Sequence, residues 1–164
     1  MKNILFICML IAYCIPILCV WYYYSNHKTV SSIICNECCN TEILYSMIVA
    51  SIFTLLYEYN RNDKLSLAII TALVTCNYGV ICIDEASSMH KASTVMGFLS
   101  MLLFMIYHCC IRKSQVILLV IFGIQCSLAA LIAIDRFSNP PDYDMFNYEV
   151  LMIANFLLFY ITQN

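Results

Sequence analysis

QVILLVIFGIQCSLAALIAI, residues 115–134, contains no charged side chain. About twenty apolar residues in a helix, rising about 1.5 Å each, match the ~30 Å hydrocarbon core of a bilayer. Five further apolar stretches lie outward from this one, at 3–24, 43–59, 65–83, 92–108 and 146–161, with short polar segments between them. Hydrophobic residues make up 63% of the 164-residue chain and charged residues only 11%. A soluble core of this size cannot hide so much apolar surface. Lipid is therefore the expected solvent, and lipid forces backbone polar groups to pair within helices. The expected fold is all-α: a polytopic membrane protein of one domain, residues 1–164, with six transmembrane helices in one bundle.

The charges set the expected orientation. With the N-terminus cytosolic, the cytosolic segments carry Lys2, Arg61, Lys64, Arg112 and Lys113, and the opposite side carries Lys28, Lys91 and Arg136. The bias of five to three favours cytosolic N and C termini. The acids Glu37, Glu42, Asp84, Glu85, Asp135, Asp142, Asp144 and Glu149 all fall on the opposite side. The first apolar run is too long for an ordinary signal-peptide core, and Trp21 to Tyr24 reads as an interfacial aromatic belt. It is expected to be a retained span.

The first outer loop, Ser25 to Thr41, holds Cys35, Cys38 and Cys39. On the non-cytosolic side, thiols at such spacing tend to oxidise, and Cys82 near the outer end of span three is a fourth candidate for a structural disulfide. A redox-active pair is another reading. A zinc site needs four ligands and only half a set is present, so no metal is expected. Cys8, Cys14, Cys19, Cys76 and Cys126 lie within spans and read as small packing residues. Cys109 and Cys110 end span four beside Arg112 and Lys113, a setting that suits reversible palmitoylation or simple packing at a helix end.

The segment Glu58 to Lys64 reads as a simple connector, with Asn62 or Asp63 capping span three. Asn40 is expected to cap span two, with Glu42 in its first turn. The second outer loop is the most informative. It runs Asp84-Glu85-Ala86-Ser87-Ser88-Met89-His90-Lys91. Glu85 and His90 could meet across this turn as a proton-transfer or ligand-binding pair, or the four charged residues could simply form a solvated interfacial turn. Pro140 and Pro141 make the third outer loop irregular. Glu149 then lies about one turn into span six, with Asn155 deeper; such an acid should face the bundle interior or an interfacial cavity.

Phosphate loops, nucleophile elbows and zinc-protease motifs are all missing, as are N-glycosylation sequons. No basic patch suits nucleic acid. No cofactor is expected. Close helix contacts should involve small residues, among them Ala68, Ala72, Gly79, Ser93, Gly97, Ser127 and Ala130.

Three features together resemble the Frag/DRAM/Sfk family, which takes in the damage-regulated autophagy modulators and the post-GPI-attachment lipid-remodelling factors. The first is the six-span layout, with its longest outer loop after span one and Glu42 opening span two. The second is the acid-rich turn from Asp84 to Lys91 and Ala92, followed by Phe98-Leu99-Ser100-Met101 and Tyr107. The third is the last span, where Tyr148-Glu149 precedes apolar residues, Asn155 and a late Thr162. The Cys-rich first loop and the single tryptophan, Trp21, depart from the family pattern.

The resemblance implies a lipid-linked role in the secretory or endolysosomal system, at the lysosome, Golgi, ER or plasma membrane, including modulation of autophagy. Membrane lipids are the implied partners. By resemblance Glu42, Asp84, Glu85, His90, Glu149 and Asn155 form the candidate cluster near the outer membrane boundary. A lipid-binding or lipid-regulating protein without catalysis is the leading expectation. A GPI-anchor lipid-remodelling factor or enzyme, and a small channel or transporter, are the alternatives.

Overall fold

A computed structural model gives the fold and describes residues 2–22, 29–34, 37–111, 115–138 and 146–163. The described residues form helices and no strand. In order they are α1 (Lys2–Tyr22), α2 (Val30–Ile34), α3 (Glu37–Asn60), α4 (Lys64–Cys82), α5 (Ser88–Ile111), α6 (Val116–Ser138) and α7 (Phe146–Thr162). Five helices are long and apolar enough to cross a membrane: α1, α3, α4, α5 and α6. The sixth apolar stretch is a shorter helix of 17 residues, α7. The fold is that of a helical multipass membrane protein.

Two differences from the sequence reading have local causes. The short helix α2 occupies the first outer loop, where no element was expected. The second span begins earlier than residue 43, because α3 already starts at Glu37. Asn40 therefore lies inside α3 and does not cap it. Its side-chain amide instead donates to the carbonyls of Ile34, at 3.3 Å, and Ile81, at 2.7 Å.

The capping expected for the third span is present. The Asp63 side chain accepts the Ser66 N–H at 3.1 Å, which satisfies one of the free donors at the start of α4. Asn62 just before it takes a left-handed φ of 58°, a conformation that asparagine tolerates and that ends α3. At the other end of α4, Ile83 leaves the helix in extended conformation while its N–H still reaches the Gly79 carbonyl at 3.2 Å.

The chain folds as two compact units. The first contains α1, α3, α4 and α5 up to Ser100, with Ser31–Ile34. In it α1 packs along α3, and α3 packs on α4. Met9, Ala12, Ile43, Met47, Ala50, Ile70, Leu73 and Val74 fill its core. The buried face of α3 also carries hydroxyls. Thr54 donates to the Ala50 carbonyl at 2.7 Å and so receives the Tyr13 hydroxyl of α1 at 3.3 Å. The Tyr78 hydroxyl of α4 reaches Ser51 at 3.2 Å. Without a hydrophobic drive between helices in lipid, such polar contacts and close packing of small residues hold them together.

That close packing occurs where α4 meets α5. A methyl group placed on Gly79 would sit 2.8 Å from Cβ of Ser93, and one on Gly97 would sit 3.7 Å from Cβ of Cys76. Gly79, Ser93 and Gly97 thus serve as the expected small-residue contact. Ala68, Ala72, Ser127 and Ala130 are exposed instead.

The second unit contains Val30, α5 from Met101, α6 and α7. Phe104 is fully buried at its centre. Its ring meets Phe156 at 5.7 Å, Tyr160 at 5.4 Å and His108 at 4.4 Å. α6 packs on α7, buries Leu118 and Ile121, and leaves Val116, Val120, Ile124, Leu131 and Ile134 exposed. Exposed apolar rows of this kind suit a lipid solvent.

Candidate functional site

The candidate residues fall into both units. Glu42, Asp84, Glu85 and His90 belong to the first, and Glu149 and Asn155 belong to the second.

The turn between α4 and α5 is built from its own side chains. Asp84 Oδ1 accepts the Ala86 N–H at 2.8 Å, and the Asp84 carbonyl accepts the Ser87 N–H at 2.9 Å. Ser87 then caps α5, its hydroxyl accepting the Met89 N–H at 3.2 Å. This geometry leaves the side chains of Asp84, Glu85 and Lys91 exposed, as is Glu42 on α3.

His90 behaves differently. It is 2% exposed, and Nδ1 lies 3.0 Å from the Ile83 carbonyl oxygen. A carbonyl only accepts, so Nδ1 is the donor of this bond. Nε2 is buried and has no hydrogen-bond partner among the described residues. Of the two readings of this turn, the pairing of Glu85 with His90 is not made, and the solvated turn holds for Asp84, Glu85 and Lys91 but not for His90: Ile83 takes the ring, and Glu85 stays at the surface.

In the second unit the acid of α7 meets backbone. Glu149 is buried, and its Oε2 accepts the Val30 N–H at 2.6 Å. Asn155 lies deeper in α7. Its amide donates to the Ile121 carbonyl at 3.0 Å and to Gln125 Oε1 at 2.7 Å. Gln125 was not singled out in the sequence, because one amide in so apolar a span gives no periodic signal. It is fully buried, and its Nε2 has no partner among the described residues.

The segment that reads as a simple connector is more than that. Glu58 is fully buried at the end of α3, where it receives the Ser66 hydroxyl at 2.7 Å and pairs with Arg61 at 3.2 Å. The Arg61 guanidinium also lies 5.8 Å from the centre of the Tyr57 ring. The spacing Glu58, Arg61 is the i, i+3 of a helix surface pair. Sequence alone gives no sign that this pair is buried, since it stands next to polar loop residues.

Among the cysteines, Cys35 and the side chains of Cys38 and Cys39 lie outside the described residues. Cys82 is exposed with a free thiol. Cys109 is half-buried, with its thiol 3.8 Å from the Leu118 carbonyl, and Cys110 is exposed. Among the described residues, no group of three or more His, Cys, Asp or Glu side chains is placed to hold a metal ion.

Compared with known protein families, curated proteins and solved structures, the chain matches none.

Proposed function

We propose that this chain binds or regulates membrane lipids in the secretory or endolysosomal system, as its resemblance to the Frag/DRAM/Sfk family implies, and modulates autophagy from there. In this reading α7 counts as a sixth span, at the short end of the crossing range, and both termini are cytosolic. The observation that carries it is the α4–α5 turn. There, exposed Asp84, Glu85 and Lys91 flank a buried histidine whose Nε2 has no partner among the described residues, at the end of two apolar helices. Ionisable groups at such a boundary meet lipid head groups, which carry charges and hydrogen-bonding groups of their own.

One observation favours a second reading, a lipid-remodelling enzyme of the GPI-anchor type. With Nδ1 donating to the Ile83 carbonyl, Nε2 is the ring nitrogen left for proton transfer. The same experiment separates the two. Cells lacking the protein are rescued with wild type, Glu85→Gln, His90→Asn or Glu149→Gln, and total lipids and GPI-anchor lipids are measured. Lipid regulation at the turn predicts a lipid change that wild type corrects and Glu85→Gln does not. The enzyme predicts an accumulated GPI-lipid precursor in His90→Asn alone, at normal abundance of the protein. An unchanged lipid profile on deletion would overturn both.

A further inference from the structure

Cys109 and Cys110 close α5, and Arg112 and Lys113 follow them in the chain. The two neighbouring thiols are not equivalent. Cys109 is half-buried, and its thiol donates to the Leu118 carbonyl oxygen at 3.8 Å. Cys110 is exposed and its thiol is free.

Position 110 also continues an outward row. Leu103 and Ile106 precede it by seven and four residues, on the same helix face, and both are exposed. Side chains on a helix lean toward its N-terminus, so the Cys110 thiol tilts over the turn that carries Ile106 and away from the helix end. A hydrocarbon chain attached there would run back along Ile106 and Leu103, in the same apolar solvent that those residues require. The next two residues in sequence after Ile111, Arg112 and Lys113, are the basic company expected of a juxtamembrane cysteine.

We propose that Cys110 is an S-acylation site and that Cys109 is left unmodified. The Cys110 thiolate attacks the carbonyl carbon of a long-chain fatty acyl-CoA thioester presented by an acyltransferase. The new sulfur–carbon bond forms as the bond to coenzyme A breaks. Coenzyme A leaves as its thiol, with the proton that Cys110 gave up, and no redox change occurs. Cys109 is disfavoured because acylation would remove its thiol donor and force the chain into the contact with α6. The chain is already anchored by its helices, so the added acyl group would act by changing how the α5 end matches the bilayer. This site is independent of the lipid-regulating reading of the α4–α5 turn.

The test uses the full chain expressed in cells fed an alkyne-tagged palmitate. Wild type should carry label that hydroxylamine releases, as a thioester does. Cys109→Ser should keep that label, and Cys110→Ser should lose it to the level of the double variant. Trypsin cleavage after Lys91 and Arg112 gives one peptide holding both cysteines. Fragmentation between them places the acyl mass directly on wild-type protein, whatever the variants do to folding. An acyl mass on Cys110 supports the proposal. Absence of label, label that survives Cys110→Ser, or an acyl mass on Cys109 overturns it.

Discussion

The Glu149 carboxylate, in the first turn of α7, accepts the backbone N–H of Val30 at 2.6 Å, across 119 positions of sequence. An acid in an apolar helix invites a functional reading, yet here the charge has a structural task. Val30 opens a short helix, and the first N–H groups of a helix lack partners within it. A carboxylate is the strongest acceptor available for one of them.

This relationship separates two substitutions. Glu149→Gln keeps an oxygen acceptor of the same reach and should change thermal stability little. Glu149→Leu removes the acceptor and should destabilise the protein by about 1–3 kcal/mol. Thermal unfolding of the purified protein in one detergent compares them. Equal melting temperatures for wild type and Glu149→Leu would remove the capping role.

The α4–α5 contact depends on the absence of a side chain at Gly79. Since a methyl group there would lie 2.8 Å from Cβ of Ser93, Gly79→Ala must push the two helices apart. Overpacking of this kind costs about 1–3 kcal/mol. Adding Ser93→Gly should recover most of the loss, and a double-mutant cycle on melting temperature would read that coupling. Gly123 supplies the control. Nothing stands within 4 Å of the methyl group it would gain, so Gly123→Ala should be neutral or slightly stabilising.

The apolar runs made the helices legible, because a span must be about as long as the bilayer is thick. Asp63 was legible as a cap for the same local reason: its partner Ser66 is three residues away. What remained hidden was set by distant neighbours. Nothing near Asn40 indicates that its amide would bridge Ile34 and Ile81, and nothing near Glu149 points to Val30. The candidate turn from Asp84 to Lys91 was found by its charge, but charge could not show that His90 would turn inward to a backbone carbonyl while Glu85 stayed outside. Glu58 was hidden by its company, since a carboxylate beside a polar loop reads as solvated.

The Asn155–Gln125 pair should be strongly non-additive. Asn155→Leu strips Gln125 of the partner for its Oε1, while its Nε2 already has none among the described residues. Gln125→Leu leaves Asn155 with the Ile121 carbonyl still in reach. The first change should therefore be the more harmful, by about 1 kcal/mol for a hydrogen bond between membrane helices. Replacing both by leucine removes the buried polar groups together and should restore stability close to wild type. Melting temperatures of the four proteins test this, and a double variant worse than either single change would contradict it.

The Glu58–Arg61–Ser66 cluster gives the largest expected effect. Arg61→Met takes the ion partner from a fully buried carboxylate, and breaking a buried pair from one side costs about 3–5 kcal/mol. Ser66→Ala removes a single hydrogen bond to the same carboxylate and should cost less, about 1–3 kcal/mol. Glu58→Gln combined with Arg61→Met removes both charges, so it should be clearly more stable than Arg61→Met alone. Abundance in membranes and melting temperature, measured on the same preparations, rank the three variants. If Arg61→Met matched wild type, Glu58 would already have enough other partners, and the ion pair would be incidental to the α3–α4 hairpin. If the double variant folds and still rescues the lipid phenotype, the cluster holds that hairpin together and takes no part in handling lipid.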